Sequence, residues 1–179
     1  LGHTFFGHVG ETILEKLLSG NGGFIHELYS LRVVDYLINY GSGINLTYAV
    51  RDGIVNHCGE KFEQYIQPDF TVKDLEAITA RNRYPATWEG TVVRMSDKIA
   101  YLGRDLEDAM QLGLVRKEEI PADVAETLGT SNSAIIDSLV NDVIEVAARE
   151  GKIGLSDPVF KAVLKLKDFN YSRIYISPI

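Results

Sequence analysis

One cysteine, Cys58, stands among 179 residues, so the chain closes no internal disulfide, which fits a reducing cytoplasm. No apolar run approaches the roughly 18 residues that mark a membrane helix, and no charged leader precedes an apolar stretch. Strand-like alternation is scarce, with Ser172 to Ile176 the best short stretch. Basic residues are the minority: 18 Lys and Arg against 25 Asp and Glu leave a net charge of −7. That bulk charge argues against broad duplex nucleic-acid binding, so nucleic acid stays a possible partner that nothing indicates; a local basic pocket can still hold a phosphate. Repeats and low-complexity linkers are absent. What is present is ordinary for a globular chain, 45% hydrophobic and 24% charged, which excludes a disordered or collagen-like protein. The first residue is Leu1, and the chain reads as a piece of a longer protein.

The patterning predicts helices throughout, and hence a single all-α domain over 1–179. Val33, Val34, Leu37 and Ile38 share the spacing of a buried helix face, ended near Gly41 and Gly43. Asn45 to Cys58 repeats the pattern. Thr71 to Asp74 resembles a cap before a helix running to about Asn82, and Pro85 breaks it. A long amphipathic helix spans Trp88 to Leu112, with Val92, Val93, Ile99, Ala100 and Leu106 expected in the core. Ser133 to Glu150 reads as another helix, stopped by Gly151. Ser156-Asp157-Pro158 starts the next, with proline in the first turn.

Chemistry concentrates in two places. The first is Leu1-Gly2-His3-Thr4-Phe5-Phe6-Gly7-His8-Val9-Gly10-Glu11, where two of the four histidines fall within six residues. His8 and Glu11 are three apart, so one helical turn makes them neighbours, and a carboxylate beside an imidazole orients it and raises its pKa. The plainer alternative is two ordinary histidines and a first-turn glutamate. Metal binding by His3 and His8 is weaker still, because no second carboxylate or cysteine sits nearby at ligand spacing. The residues alone assign His26 and His57 to structure, since adjacent His57 and Cys58 would point apart on a helix. The second place is Asp97, Tyr101 and Asp105, spaced four apart, which drift only about 40° per step around a helix and share a face. That stripe offers two carboxylates and a phenol, suited to a metal at one end and a sugar hydroxyl at the other, or else to a solvated face.

Taken together the segments resemble the HD-domain deoxynucleoside triphosphate triphosphohydrolases, the dGTPase family. The blocks that carry the likeness are Leu1-Gly2-His3-Thr4 with Phe6-Gly7-His8 and Gly10-Glu11; His26 with Ser30-Leu31-Arg32-Val33-Val34-Asp35-Tyr36-Leu37; Asn45-Leu46-Thr47-Tyr48 with Val50-Arg51-Asp52-Gly53-Ile54; and Pro85-Ala86-Thr87, Glu89-Gly90, Val92-Val93-Arg94 and Asp97-Lys98-Ile99-Ala100-Tyr101. Phe169-Asn170-Tyr171, Ile174-Tyr175 and Ser177-Pro178 also look like the family. The resemblance implies an HD-domain helical bundle that hydrolyses a dNTP, often dGTP, to deoxynucleoside and inorganic triphosphate. It implies His8 and Glu11 as catalytic histidine and acidic partner, and His26 as a second active-site histidine. His3 and Lys98 match phosphate contacts, Tyr101 and Asp105 match readers of the deoxyribose, and Asp97 matches a ligand of a divalent metal, Mg2+ or Mn2+. It implies a homo-oligomer as well. The family's other metal ligands precede the Leu-Gly-His run. A chain starting at Leu1, truncated there and at its C-terminus, is therefore expected to be inactive alone. Phe5 replaces a usual proline, Glu27-Leu28-Tyr29 is less polar than the family's run, and Arg104 stands where histidine is common. The alternatives are a catalytically silent dNTP-binding module and an HD phosphohydrolase acting on another nucleotide.

Overall fold

The computed structural model describes residues 1–59, 61–78 and 83–176, and of His8 the backbone alone. The protein is all-α, with one two-residue antiparallel ribbon. It divides into two compact units, Leu1–Glu60 with Pro68–Arg94, and Lys61–Gln67 with Met95–Ile179.

The first unit holds α1 (Gly7–Leu17), α2 (His26–Arg32), α3 (Tyr48–Val55) and the start of α4 (Trp88–Gln111). Its apolar core is small: Leu31, Val34, Val55, Leu75 and Ile78. The helix expected around Ser30 to Ile38 starts earlier, at His26, and widens after Arg32 into a π-type turn, Val33–Leu37, where the Ile38 amide donates to the Val33 carbonyl. Asp35 in that turn accepts a two-pronged contact from Arg51 of α3, Nη2 to Oδ2 at 2.7 Å and Nε to Oδ2 at 3.0 Å.

The helix predicted from Thr71 is a correction. Residues 71–78 form turns; its remainder, 79–82, lies outside the described residues, as do Ser177 and Pro178. Side chains capture the backbone that a helix would have used. Asp69 accepts from the Thr71 amide and hydroxyl, Asp74 from the Glu76 amide, and the Lys73 amide donates to the Tyr48 hydroxyl at 2.8 Å.

The second unit packs the rest of α4 with α5 (Ala122–Leu128), α6 (Asn132–Glu150) and α7 (Asp157–Asn170). β1 (Tyr65–Ile66) pairs with β2 (Ile153–Gly154). The helix read from Ser133 begins one residue earlier, at Asn132, where the Ser131 hydroxyl accepts from the Ala134 amide, and Pro158 sits in the first turn of α7 as expected. The core is apolar and tight, with Leu106, Leu128, Ile135, Leu139, Val163 and Leu166 all essentially inaccessible. Leu139→Ala should therefore lower stability by about 2–5 kcal/mol; a urea midpoint equal to wild type would contradict this packing.

The α4 boundaries agree with expectation, but its inner face does not. Thr91, Met95, Ile99, Leu102, Leu106 and Ala109 are buried, a stripe stepping by three and four residues. Val92, Val93 and Ala100 lie off that stripe and are exposed, while Ile99 and Leu106 are in the core as expected.

Candidate functional site

Among the described residues, every buried polar or charged side chain except Asn170 lies in the first unit: Glu11, His26, Glu27, Ser30, Asp52, Asn56, Thr91 and Arg94. Buried polar groups are the informative exceptions in a protein interior, since each needs a partner to offset its desolvation.

The cluster begins at the chain start. The Ser30 hydroxyl bonds the Leu1 carbonyl at 2.6 Å and lies 2.8 Å from the His26 carbonyl. Gly2, at φ +77°, lies so close to α2 that a Cβ would fall 2.3 Å from Ser30 Oγ and 2.4 Å from the His26 oxygen. Only glycine fits there, and that approach lays the His3 ring on the His26 ring, stacked at 4.1 Å between centroids. Glu11, on α1, holds both: Oε1 lies 2.5 Å from His3 Nδ1, and Oε2 lies 3.3 Å from His26 Nδ1. Glu27 Oε2 is 3.4 Å from the same nitrogen.

Glu11 was expected beside His8. It meets His3 and His26, while the His8 side chain lies outside the described residues and only its place on α1 is known. His26 is 4% exposed. Burial pushes its imidazole below the ordinary value, His3 and His57 add to the push, and Glu27 and Glu11 oppose it. The ring is thus neutral near pH 7. With Nδ1 facing two carboxylates, its proton belongs on that nitrogen, leaving the Nε2 lone pair available.

Nε2 faces a feature that sequence reasoning set aside. Helix α3 stops at Val55, so His57 and Cys58 follow its C-cap, Asn56, and helical geometry no longer separates them. Cys58 Sγ lies 3.5 Å from His26 Nε2, and the His57 ring meets the His26 ring edge-on at 5.5 Å. Two sets of three residues here can hold a metal ion by proximity of their ligand atoms: His26, His57 and Cys58, and His3, Glu11 and His26. The turn is shaped by Arg94, 2% exposed, whose Nη1 donates to the carbonyls of Asn56 at 3.1 Å, Arg83 at 3.0 Å, and Cys58. Gly59 accommodates that guanidinium, since a Cβ there would overlap it. Asp52, fully buried, accepts from the Ala86 amide at 2.5 Å and from Asn56 Nδ2 at 3.0 Å. Arg94 and Asp52 were quoted only within the family-like blocks; their roles come from contacts more than 30 residues apart in sequence, which spacing does not reveal.

Beside the cluster the same unit contains a cavity of about 850 Å³, lined by His3, Leu14, Phe24, Leu28, Arg32 and Asp35 among others. That volume suits a small-molecule ligand.

The residues expected on α4 lie in the second unit. Tyr101 is exposed. Asp105 accepts from the Tyr175 hydroxyl, whose pKa is pushed up first by burial and then by that carboxylate. Lys98 Nζ is 2.5 Å from Glu63 Oε2 and also donates to the Lys61 carbonyl, so an anion at Lys98 would compete with Glu63. Asp97 is half-buried and, among the described residues, belongs to neither group of potential metal ligands.

No family model matches the chain. Individual relatives do. A deoxyguanosinetriphosphate triphosphohydrolase-like protein of Caldanaerobacter subterraneus subsp. tengcongensis is 38% identical over 98% of this chain and 45% of its own length. A protein of the same description from Desulfatibacillum aliphaticivorans is 38% identical over 100% of this chain and 48% of its own. One from Clostridium perfringens is 34% identical over 98% and 47%. The chain thus spans about half the length of the curated relatives it matches. With the family-like blocks running in order from Leu1-Gly2-His3 to Tyr175, this chain belongs to the deoxyguanosinetriphosphate triphosphohydrolase-like family.

Proposed function

We propose that the intact protein hydrolyses a dNTP, dGTP foremost, to the deoxynucleoside and inorganic triphosphate. One observation carries the reading: a single buried carboxylate, Glu11, holds two imidazoles, one of them kept neutral by burial. The reaction needs little else in kind. Water adds its oxygen to the α-phosphorus, the bond to the 5′-oxygen breaks, and that oxygen takes a proton to leave as the nucleoside's hydroxyl. A histidine oriented by a carboxylate is suited to give that proton, the role assigned to His8, with Glu11 as its acidic partner and His26 beside them. His3 is assigned to a phosphate oxygen, a role supported by its partial exposure at the cavity wall. Lys98 is assigned to phosphate, and Tyr101 with Asp105 to the deoxyribose, where a packed tyrosine would exclude a 2′-hydroxyl by shape.

The reading assigns Asp97 to a divalent ion, Mg2+ or Mn2+, which when bound would polarise the α-phosphate; Asp97 is half-buried and, among the described residues, belongs to neither group of potential ligands. Residues 1–179 by themselves are expected to show no metal-dependent turnover. The second reading is a dNTP-binding module without catalysis, for which the cavity lined by His3 and Arg32 would suffice. A homo-oligomer acting in the cytoplasm completes the proposal; among the described residues no helix is long and apolar enough to cross a membrane. The test is to incubate the intact protein with dGTP and Mg2+ or Mn2+ and separate the products. Deoxyguanosine with tripolyphosphate supports the hydrolase. Saturable dGTP binding with no turnover supports the binding module, and orthophosphate or pyrophosphate overturns both in favour of another HD phosphohydrolase.

A further inference from the structure

We propose that His26, His57 and Cys58 form a Zn2+ site, distinct from the ion assigned to Asp97 and sharing His26 with the proposed active site. One ligand atom from each of the three lies within 4.8 Å of the others. Tetrahedral zinc, with Zn–S about 2.3 Å and Zn–N about 2.0 Å, has ligand–ligand edges of about 3.3–3.6 Å. The Cys58 Sγ to His26 Nε2 edge is already 3.5 Å. His57 is half-buried and lies past a helix end, where side-chain adjustment can close the third corner.

The surrounding contacts select the right nitrogens. The Ile54 carbonyl accepts the His57 Nδ1 proton at 2.6 Å, which leaves Nε2 as that ring's ligand atom. His26 Nδ1 faces the carboxylates of Glu11 and Glu27, which likewise turns Nε2 toward the thiol. A ligating histidine whose other nitrogen is held by a carboxylate or carbonyl is the usual arrangement around zinc; it fixes the tautomer and raises the ligand's basicity. A thiolate with two imidazoles suits zinc and disfavours Mg2+ or Mn2+, which take oxygen ligands. His57 and Cys58 are only partly buried, so the ion has an entry path and solvent can supply the fourth ligand. On binding, the Cys58 thiol releases its proton to solvent; no electron is transferred.

The test uses Co2+ as a spectroscopic stand-in, because Cu2+ would bind nearly any such site. Titrating the full chain with Co2+ should give the near-ultraviolet thiolate charge-transfer band of a tetrahedral site, and Zn2+ should bleach it. Cys58→Ser should abolish the band, and His57→Ala should weaken Zn2+ at least tenfold in competition with a chromogenic chelator. As these variants can disturb folding, a second measurement uses the unaltered chain: Zn2+ should slow modification of Cys58 by a thiol reagent at least tenfold, and chelator should restore it. Absence of the band, its survival in Cys58→Ser, or an unprotected thiol at saturating Zn2+ each overturns the site.

Discussion

Arg94→Met is expected to lower the unfolding free energy by about 3–5 kcal/mol, the range for stranding several buried polar groups at once. Met has similar length and restores apolar packing, so the loss reports the polar contacts. Three carbonyls, of Asn56, Cys58 and Arg83, would lose their donor inside the protein, and the guanidinium placed 5.3 Å from the Tyr84 ring would go with them. Arg94→Lys should recover only part of the loss, because the compact ammonium keeps the charge but lacks the guanidinium plane that lies over the Tyr84 ring. Urea denaturation of the full chain measures both. Wild-type stability for the methionine variant would contradict the place given to Arg94, as would a lysine variant equal to wild type. Because the same arginine shapes the turn carrying His57 and Cys58, the lysine variant should also bind Zn2+ more weakly.

Glu11→Gln is the other large effect. In the intact protein it should lower dGTP turnover about 100- to 10,000-fold, the usual weight of a positioned acid–base group. Glutamine keeps the size and one acceptor oxygen but removes the charge that orients two imidazoles. It also removes a negative charge beside His3 and His26, one of the influences that raise the His26 pKa, so that ring should stay neutral to still lower pH. The fold should survive, since Ser30 still ties Leu1 to α2 through its hydroxyl. The fall should appear mainly in kcat rather than KM, because Glu11 faces histidines rather than the cavity wall. A variant with unchanged kcat would remove Glu11 from the catalytic account.

Local signals were the legible part of this chain. Ser156-Asp157-Pro158 marks a helix start by chemistry confined to a few residues, and the α4 limits follow from Pro85 upstream and an unbroken amphipathic run. The buried stripe of α4 was missed in part because Val92 and Val93 are apolar, yet Thr91 and Arg94 face inward; which face is buried depends on what packs there. The segment from Thr71 looked like a capped helix, but Asp69, Tyr48 and Asp74 satisfy the backbone through contacts that propensity does not weigh. In the site, Glu11 and His3 appeared in one short run, so their importance was visible. Their geometry was not, because the partner that organises them, His26, arrives from another helix. His57 and Cys58 were dismissed on helical spacing that ends two residues too early, at Val55. Had α3 been placed correctly, the juxtaposed imidazole and thiol would have been a candidate pair.

The central claim is where the dGTP bond breaks. Running the intact protein in water enriched in a heavy oxygen isotope, and weighing both products, tests it most directly. The account predicts tripolyphosphate carrying one heavy oxygen and unlabelled deoxyguanosine, as attack on the α-phosphorus requires. Label in the deoxyguanosine hydroxyl, or label only in orthophosphate or pyrophosphate, would contradict it.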